Sequence, residues 1–155
     1  MNKKNIKALV IAILIPLAVG ALSALLTKDS MQVYNQLNRP ALSPPPVVFP
    51  IVWAILYVLM GISSYIVYKS DAHNRASALK LYAVQLALNL AWPIIFFSLQ
   101  LYLAAFLWLL ALIAVLGVMI YRFYRIKPLA AYLQLPYLAW TLFAAYLNWM
   151  VFLLN

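Results

Sequence analysis

Of the 155 residues, 68% are hydrophobic and only 8% are charged, against roughly 45 to 50% apolar and 25% charged residues in a soluble globular domain. Too few polar side chains exist to cover a water-soluble ball, so the chain reads as one all-α integral membrane domain spanning residues 1–155. The net charge of +9, from 11 basic residues against Asp29 and Asp71, is read as membrane topology and lipid-headgroup contact, and no nucleic-acid partner is expected.

A spanning helix needs about 20 mostly apolar residues, because the hydrocarbon core is about 30 Å thick and a helix rises about 1.5 Å per residue. The first such stretch covers residues 6–26. Lys3, Lys4 and Lys7 ahead of it, with Ala21-Leu22-Ser23 near its end, also resemble a secretory signal, but the segment is read as a retained span. Gly20, Ser23, Ala24 and Thr27 give it a small-residue stripe that leaves space alongside. The one long connection follows, residues 28–47, with Pro40, Pro44, Pro45 and Pro46, and Pro50 just beyond. Consecutive prolines fix φ and favour a stiff course, so a proline-rich lid loop is expected between the first and second spans.

The second span, 48–68, places Phe49, Trp53, Tyr57 and Met60 on one face. On the third, 79–99, Gln85, Asn89, Trp92 and Phe96 fall within about 60° of one another at about 100° per residue. Ala83, Ala87 and Ala91 lie roughly opposite. Small residues spaced by four allow close helix approach in membranes, so this ridge is expected against a neighbouring helix or a second protomer. The fourth span, 101–121, adjoins the third with only Ser98 and Gln100 as polar punctuation, which predicts a tight turn there; it is almost wholly aliphatic and aromatic and reads as scaffold. The fifth, 129–153, gathers Tyr137, Trp140, Ala144 and Asn148 within about 80°.

With five spans, one membrane face holds Lys3, Lys4, Lys7, Lys69, Arg75, Lys80, Arg122, Arg125 and Lys127, and the other only Lys28 and Arg39. Basic residues in short loops concentrate on the inner side, which predicts a cell-membrane protein with its N-terminus inside and its C-terminus outside.

Conventional catalysis finds few reagents here. Neither acid lies within a span, so paired-carboxylate chemistry and a carboxylate proton relay are not expected. Cysteine is absent and His73 is the only histidine, in a short polar loop, so neither a metal site nor a required cofactor is predicted. Polar groups at bilayer depth, here Gln85, Asn89 and Asn148, serve either as interhelical hydrogen bonds or as ligand contacts. Three aromatic faces converging beneath the lid favour a pocket for a flat apolar ligand.

Three stretches carry a resemblance: NRPALSPPPVVFPIVWAILYVLMG (38–61), QLALNLAWPIIFF (85–97) and PLAAYLQLPYLAWTLFAAYLN (128–148). Together they resemble the tryptophan-rich sensory protein/translocator protein (TSPO) family over nearly the whole chain. The resemblance implies a five-helix bundle whose cavity, capped by the first loop, binds porphyrins such as protoporphyrin IX and synthetic aromatic ligands, commonly in a homodimer; the Ala83, Ala87 and Ala91 ridge is the candidate interface. It places the pocket on Tyr34, Pro44, Phe49, Trp53, Asn89, Trp92, Trp140, Ala144 and Asn148, to which the helical face adds Tyr57. A bound haem would lack the usual proximal histidine, so a metal-free ring is the expected ligand. The bacterial members it resembles also imply light-dependent porphyrin breakdown under oxidative stress, with Trp53 and Trp140 as redox partners. Passive transport of tetrapyrroles, lipids or sterols is the alternative. Leu42 stands where the family often has a loop tryptophan, and Pro50-Ile51 replaces a common Gly-Pro. The C-terminal NWMVFLLN has neither the tyrosine nor the basic residue of the animal sterol motif, so sterol binding is not expected there.

Overall fold

Coordinates from a computed structural model describe residues 1–155. The Asn2 side chain accepts from the Asn5 backbone N–H at 2.9 Å, capping α1 (Lys3–Leu26). The other four spans are α3 (Val48–Tyr68), α4 (Arg75–Pro93), α5 (Tyr102–Ile126) and α6 (Pro128–Leu154). All five are long and apolar enough to cross a membrane. Pro128 opens α6 at a position where a missing N–H costs nothing. No strand is present, and the protein is a multi-pass, all-helical membrane protein.

Several boundaries differ from the sequence reading: α1 starts at Lys3 rather than 6 and α4 at Arg75 rather than 79, and two further differences are larger or change the backbone. α5 continues to Ile126, beyond the apolar run ending at 121. Its last residues, Arg122, Tyr124 and Arg125 among them, are good enough helix formers to carry the backbone past the hydrocarbon edge. The third span breaks at Pro93, and Ile94–Ser98 forms a π-turn in which Leu99 N–H reaches the Ile94 carbonyl at 2.9 Å. Proline supplies no N–H and crowds the preceding turn, and a widened turn accommodates it. The chain then reverses through Gln100, whose φ of 54° is the only positive value at a non-glycine residue. The tight turn expected from Ser98 and Gln100 is therefore present.

The long connection contains an unpredicted helix, α2 (Ser30–Gln36). Its sequence, SMQVYNQ, lacks proline and glycine, so nothing prevents helix formation before Pro40. Past α2 the chain turns rather than running straight: Ser43 N–H reaches the Pro40 carbonyl at 3.1 Å and Val48 N–H the Pro45 carbonyl at 3.0 Å. Two contacts fix its course. Tyr34, buried, donates its hydroxyl to the Pro44 carbonyl at 2.6 Å, and Asn155 at the end of α6 exchanges hydrogen bonds of 3.2 and 2.9 Å with the Asn38 backbone.

The spans pack as a ring in the order α1, α3, α6, α5, α4 and back to α1. The main buried cluster joins Leu56, Met60 and Val67 of α3 to Tyr82 and Leu86 of α4, Leu116, Met119 and Phe123 of α5, and Ala130 and Tyr137 of α6. α1 adds none of the cluster's fully buried members, and only Pro16 and Ser23 of its residues are buried. Its close approach to α3 depends on Gly61, where an added Cβ would stand 2.5 Å from the Ile13 backbone. The core lies toward the end of the ring where α1 begins, and the opposite half is open.

Candidate functional site

In that open half lies a cavity of about 480 Å³ walled by all five spans and α2. Phe49 and Trp53 of α3, Trp92 of α4, and Trp140 and Ala144 of α6 line it, with Tyr57 and Asn89 at its deep end. These seven sequence-predicted residues are brought together. The α1 stripe contributes Gly20, Ser23, Ala24 and Thr27. A side chain at Gly20 would collide with the Tyr57 ring, so the glycine is what lets that ring stand against α1.

Several aromatic rings are held in defined geometry. Trp53 stacks on Tyr57, centroids 5.4 Å apart, and meets Tyr137 edge-on at 6.1 Å. Phe49 meets Trp140 edge-on at 5.9 Å. Trp92 stacks on Phe96 at 5.0 Å. Offset stacked and edge-to-face pairs of this kind are each worth about 0.5–1.5 kcal/mol beyond area burial, so they hold the walls in place.

Beneath the rings runs a hydrogen-bonded chain through three helices. Tyr57 Oη donates to Asn89 Oδ1 at 2.9 Å, Asn89 Nδ2 donates to Tyr137 Oη at 2.8 Å, and Tyr137 Oη donates to Gln85 Oε1 at 2.7 Å. Tyr57 and Asn89 face the cavity, whereas Gln85 and Tyr137 form the layer below. Interhelical bonding is thus observed for both amides, and Asn89 alone also borders the cavity. Lower still, Tyr82 Oη, Gln85 Nε2 and both polar atoms of the Gln134 side chain are buried without a protein partner.

Three predicted site residues stand off the cavity wall. Asn148 is buried behind Trp92, accepting from its Nε1 at 3.0 Å and donating to the Tyr102 carbonyl at 2.8 Å. Tyr34 packs edge-on against Phe49 at 5.0 Å, and Pro44 receives the Tyr34 hydroxyl. All three support wall residues. Lys28 lies at the mouth, the only charged lining residue; Arg39 instead sits 4.2 Å over the Tyr34 ring. Ala83 and Ala87 face outward from α4.

Sequence reasoning missed other wall residues. Leu109 and Leu112 of α5 line the cavity, although that helix reads as scaffold; its lipid-facing residues Leu107 and Leu110 are leucines too, so residue type does not mark the inner face. Pro93 and Phe97 also line it. A proline inside a span followed by an aromatic pair was the available signal.

The arrangement is an apolar slot with aromatic walls, the Asn89 amide and the Tyr57 hydroxyl at its deep end, and one cation at its mouth. The model of the TspO/MBR family matches residues 12–154 of the chain. The chain belongs to the TspO/MBR family. A tryptophan-rich protein TspO of Archaeoglobus fulgidus is 39% identical over 153 residues, covering 97% of this chain and 99% of that protein. The human translocator protein is 39% identical over 126 residues, with coverage of 79% and 75%. The tryptophan-rich sensory protein of Cereibacter sphaeroides is 32% identical over 138 residues, with coverage of 89% and 85%. In this TspO/MBR protein the match takes in the last four spans whole and the first from residue 12 onward.

Proposed function

We propose that the protein is a membrane receptor for planar porphyrins, protoporphyrin IX among them, and for other flat aromatic molecules. The observation that supports this is the cavity of about 480 Å³ between Phe49, Trp53, Trp92 and Trp140, within the roughly 300–1,000 Å³ range of small-molecule sites. Ring burial supplies most of the affinity. The Lys28 ammonium at the mouth attracts the propionates, and the connection covers the site through Ser30 and Met31, with Pro44 bracing it from behind through Tyr34.

Trp53 and Trp140 bordering the same slot also support a photochemical role. In that role light excites the bound porphyrin, an indole donates one electron to it or to the oxidant it generates, and dioxygen is the terminal oxidant in ring opening. Protoporphyrin IX titration against Trp53→Phe, Trp140→Phe and the double variant is the test. Each single change is expected to cost about 0.5–1.5 kcal/mol of binding, the worth of one aromatic contact, and to slow photobleaching. Unchanged affinity and unchanged photobleaching in all three would remove both tryptophans from the mechanism. Illumination with and without oxygen, followed by mass spectrometry, separates ring opening from quenching.

The protein works in the cell membrane with the basic end of the bundle inside, and it pairs as a homodimer through Ala83, Ala87 and Ala91. A second reading, passive translocation of tetrapyrroles or lipids, draws support from the human relative's name, translocator protein. Porphyrin flux into protein-bearing liposomes distinguishes it from a receptor that only binds.

A further inference from the structure

A second concavity, about 430 Å³, lies on the outside of the ring along the seam between α3 and α6. Val52, Ile55 and Leu56 form one wall; Pro136, Ala139 and Phe143 form the other. None of these side chains is polar. Ile55 is 56% exposed, and both helices are membrane spans, so the groove opens directly onto the acyl chains. Trp140 is the one residue that lines both this groove and the inner cavity. Along this seam a single indole therefore separates bilayer from cavity.

That indole also has no polar tether. Trp92 and Trp108 are pinned through Nε1, to Asn148 at 3.0 Å and to the Leu88 carbonyl at 2.8 Å, but Trp140 makes no hydrogen bond to the protein. Its ring is held by apolar contacts alone: an edge contact with Phe49 at 5.9 Å, a tilted one with Phe143 at 5.6 Å, and packing against the main buried cluster. One turn earlier, Pro136 lies inside α6, removing a backbone hydrogen bond and loosening the helix where the tryptophan is rooted. Ala139 on the groove side and Ala144 on the cavity side flank it, and neither carries a side chain beyond Cβ that would block a change of rotamer.

We propose that the α3/α6 groove is a lateral doorway through which a planar apolar ligand already dissolved in the bilayer reaches the cavity, with Trp140 as the shutter. The proposal rests on the cavity being the porphyrin site. A large flat ring partitions into the hydrocarbon before it meets protein, so a route from the lipid side spares it a return to water. The shutter sets how fast the ligand comes and goes. Groove residues away from Trp140 do not touch the seated ligand, so they govern rates and leave affinity alone.

The experiment loads phosphatidylcholine liposomes with protoporphyrin IX and follows its capture by, and escape from, full-length protein in the same bilayers. Ala139→Trp and, on the opposite wall, Ile55→Trp fill the groove; Leu142→Trp, equally lipid-facing at 53% exposure but outside the groove, is the control. Both groove variants are expected to slow association and dissociation together by about tenfold with Kd unchanged, while the control matches wild type. Wild-type rates in both groove variants would overturn the doorway and leave the mouth beside Lys28 as the way in. If the wild-type protein captures no porphyrin at all, the receptor reading and the doorway fall together; binding at unaltered rates sinks the doorway alone.

Discussion

Asn148 shows how a residue can matter to a ligand it does not face. Its carboxamide holds the Trp92 indole on one side and the Tyr102 carbonyl on the other, so Asn148→Ala leaves the part-buried Trp92 N–H without its partner and cuts the tie to α5. The expected loss is about 1–3 kcal/mol of stability, read as a lowered thermal midpoint, together with weaker porphyrin binding as Trp92 loses its orientation. Gln100 invites the opposite change. Its φ of 54° is a conformation that costs an L-residue roughly 1–2 kcal/mol and glycine almost nothing. Gln100→Gly should raise the thermal midpoint, and a midpoint at or below wild type would refute the strain. Helical periodicity identified Asn148 because it gives the direction in which a side chain points. It cannot say how many layers of side chain lie between that residue and the cavity, which is why Asn148 and Tyr34 resolve as supports and Trp53 as wall.

The five spans were legible as elements because lipid demands about 20 apolar residues in a row, a signal that few soluble helices produce. Where backbone rather than solvation decides, the reading was weaker. α2 forms because 30–36 contains nothing to stop it, and the π-turn after Pro93 is a geometric answer to a missing N–H; neither alters hydropathy. Glycines at helix contacts are similarly silent in composition yet decisive in packing. Gly61→Val would drive a branched side chain into the α1 backbone beside Ala12 and Ile13; protein from this variant is expected to lose thermal stability by several kcal/mol, within the range of strongly overpacked sites. Gly20→Ala meets a side chain instead, the Tyr57 ring. It should displace that ring from Asn89 and reduce porphyrin affinity while the bundle remains folded.

For the whole molecule, the nine-to-two distribution of basic residues yields an orientation test that the sequence itself makes easy. The chain has no cysteine, so single cysteines report sidedness without background. With the basic end inside, Asn35→Cys in α2 reacts with an impermeant maleimide added to intact cells, and His73→Cys between α3 and α4 reacts only after the membrane is broken. The reverse pattern would invert the assignment. The cavity, by contrast, was legible only as converging aromatic faces: its volume and its mouth depend on how the helices are ordered around the ring, which no single helix encodes.

α1 encloses the cavity on one side yet contributes almost nothing to what holds the other helices together: the central apolar cluster is built from α3 through α6, and α1 buries only Pro16 and Ser23. Enclosure and cohesion are thus assigned to different parts of the chain, as a panel differs from a frame. Two separately synthesised polypeptides, 1–28 and 29–155, should consequently find each other in the bilayer and co-purify, the larger piece standing as a four-helix unit whose slot is unsealed until the smaller one arrives.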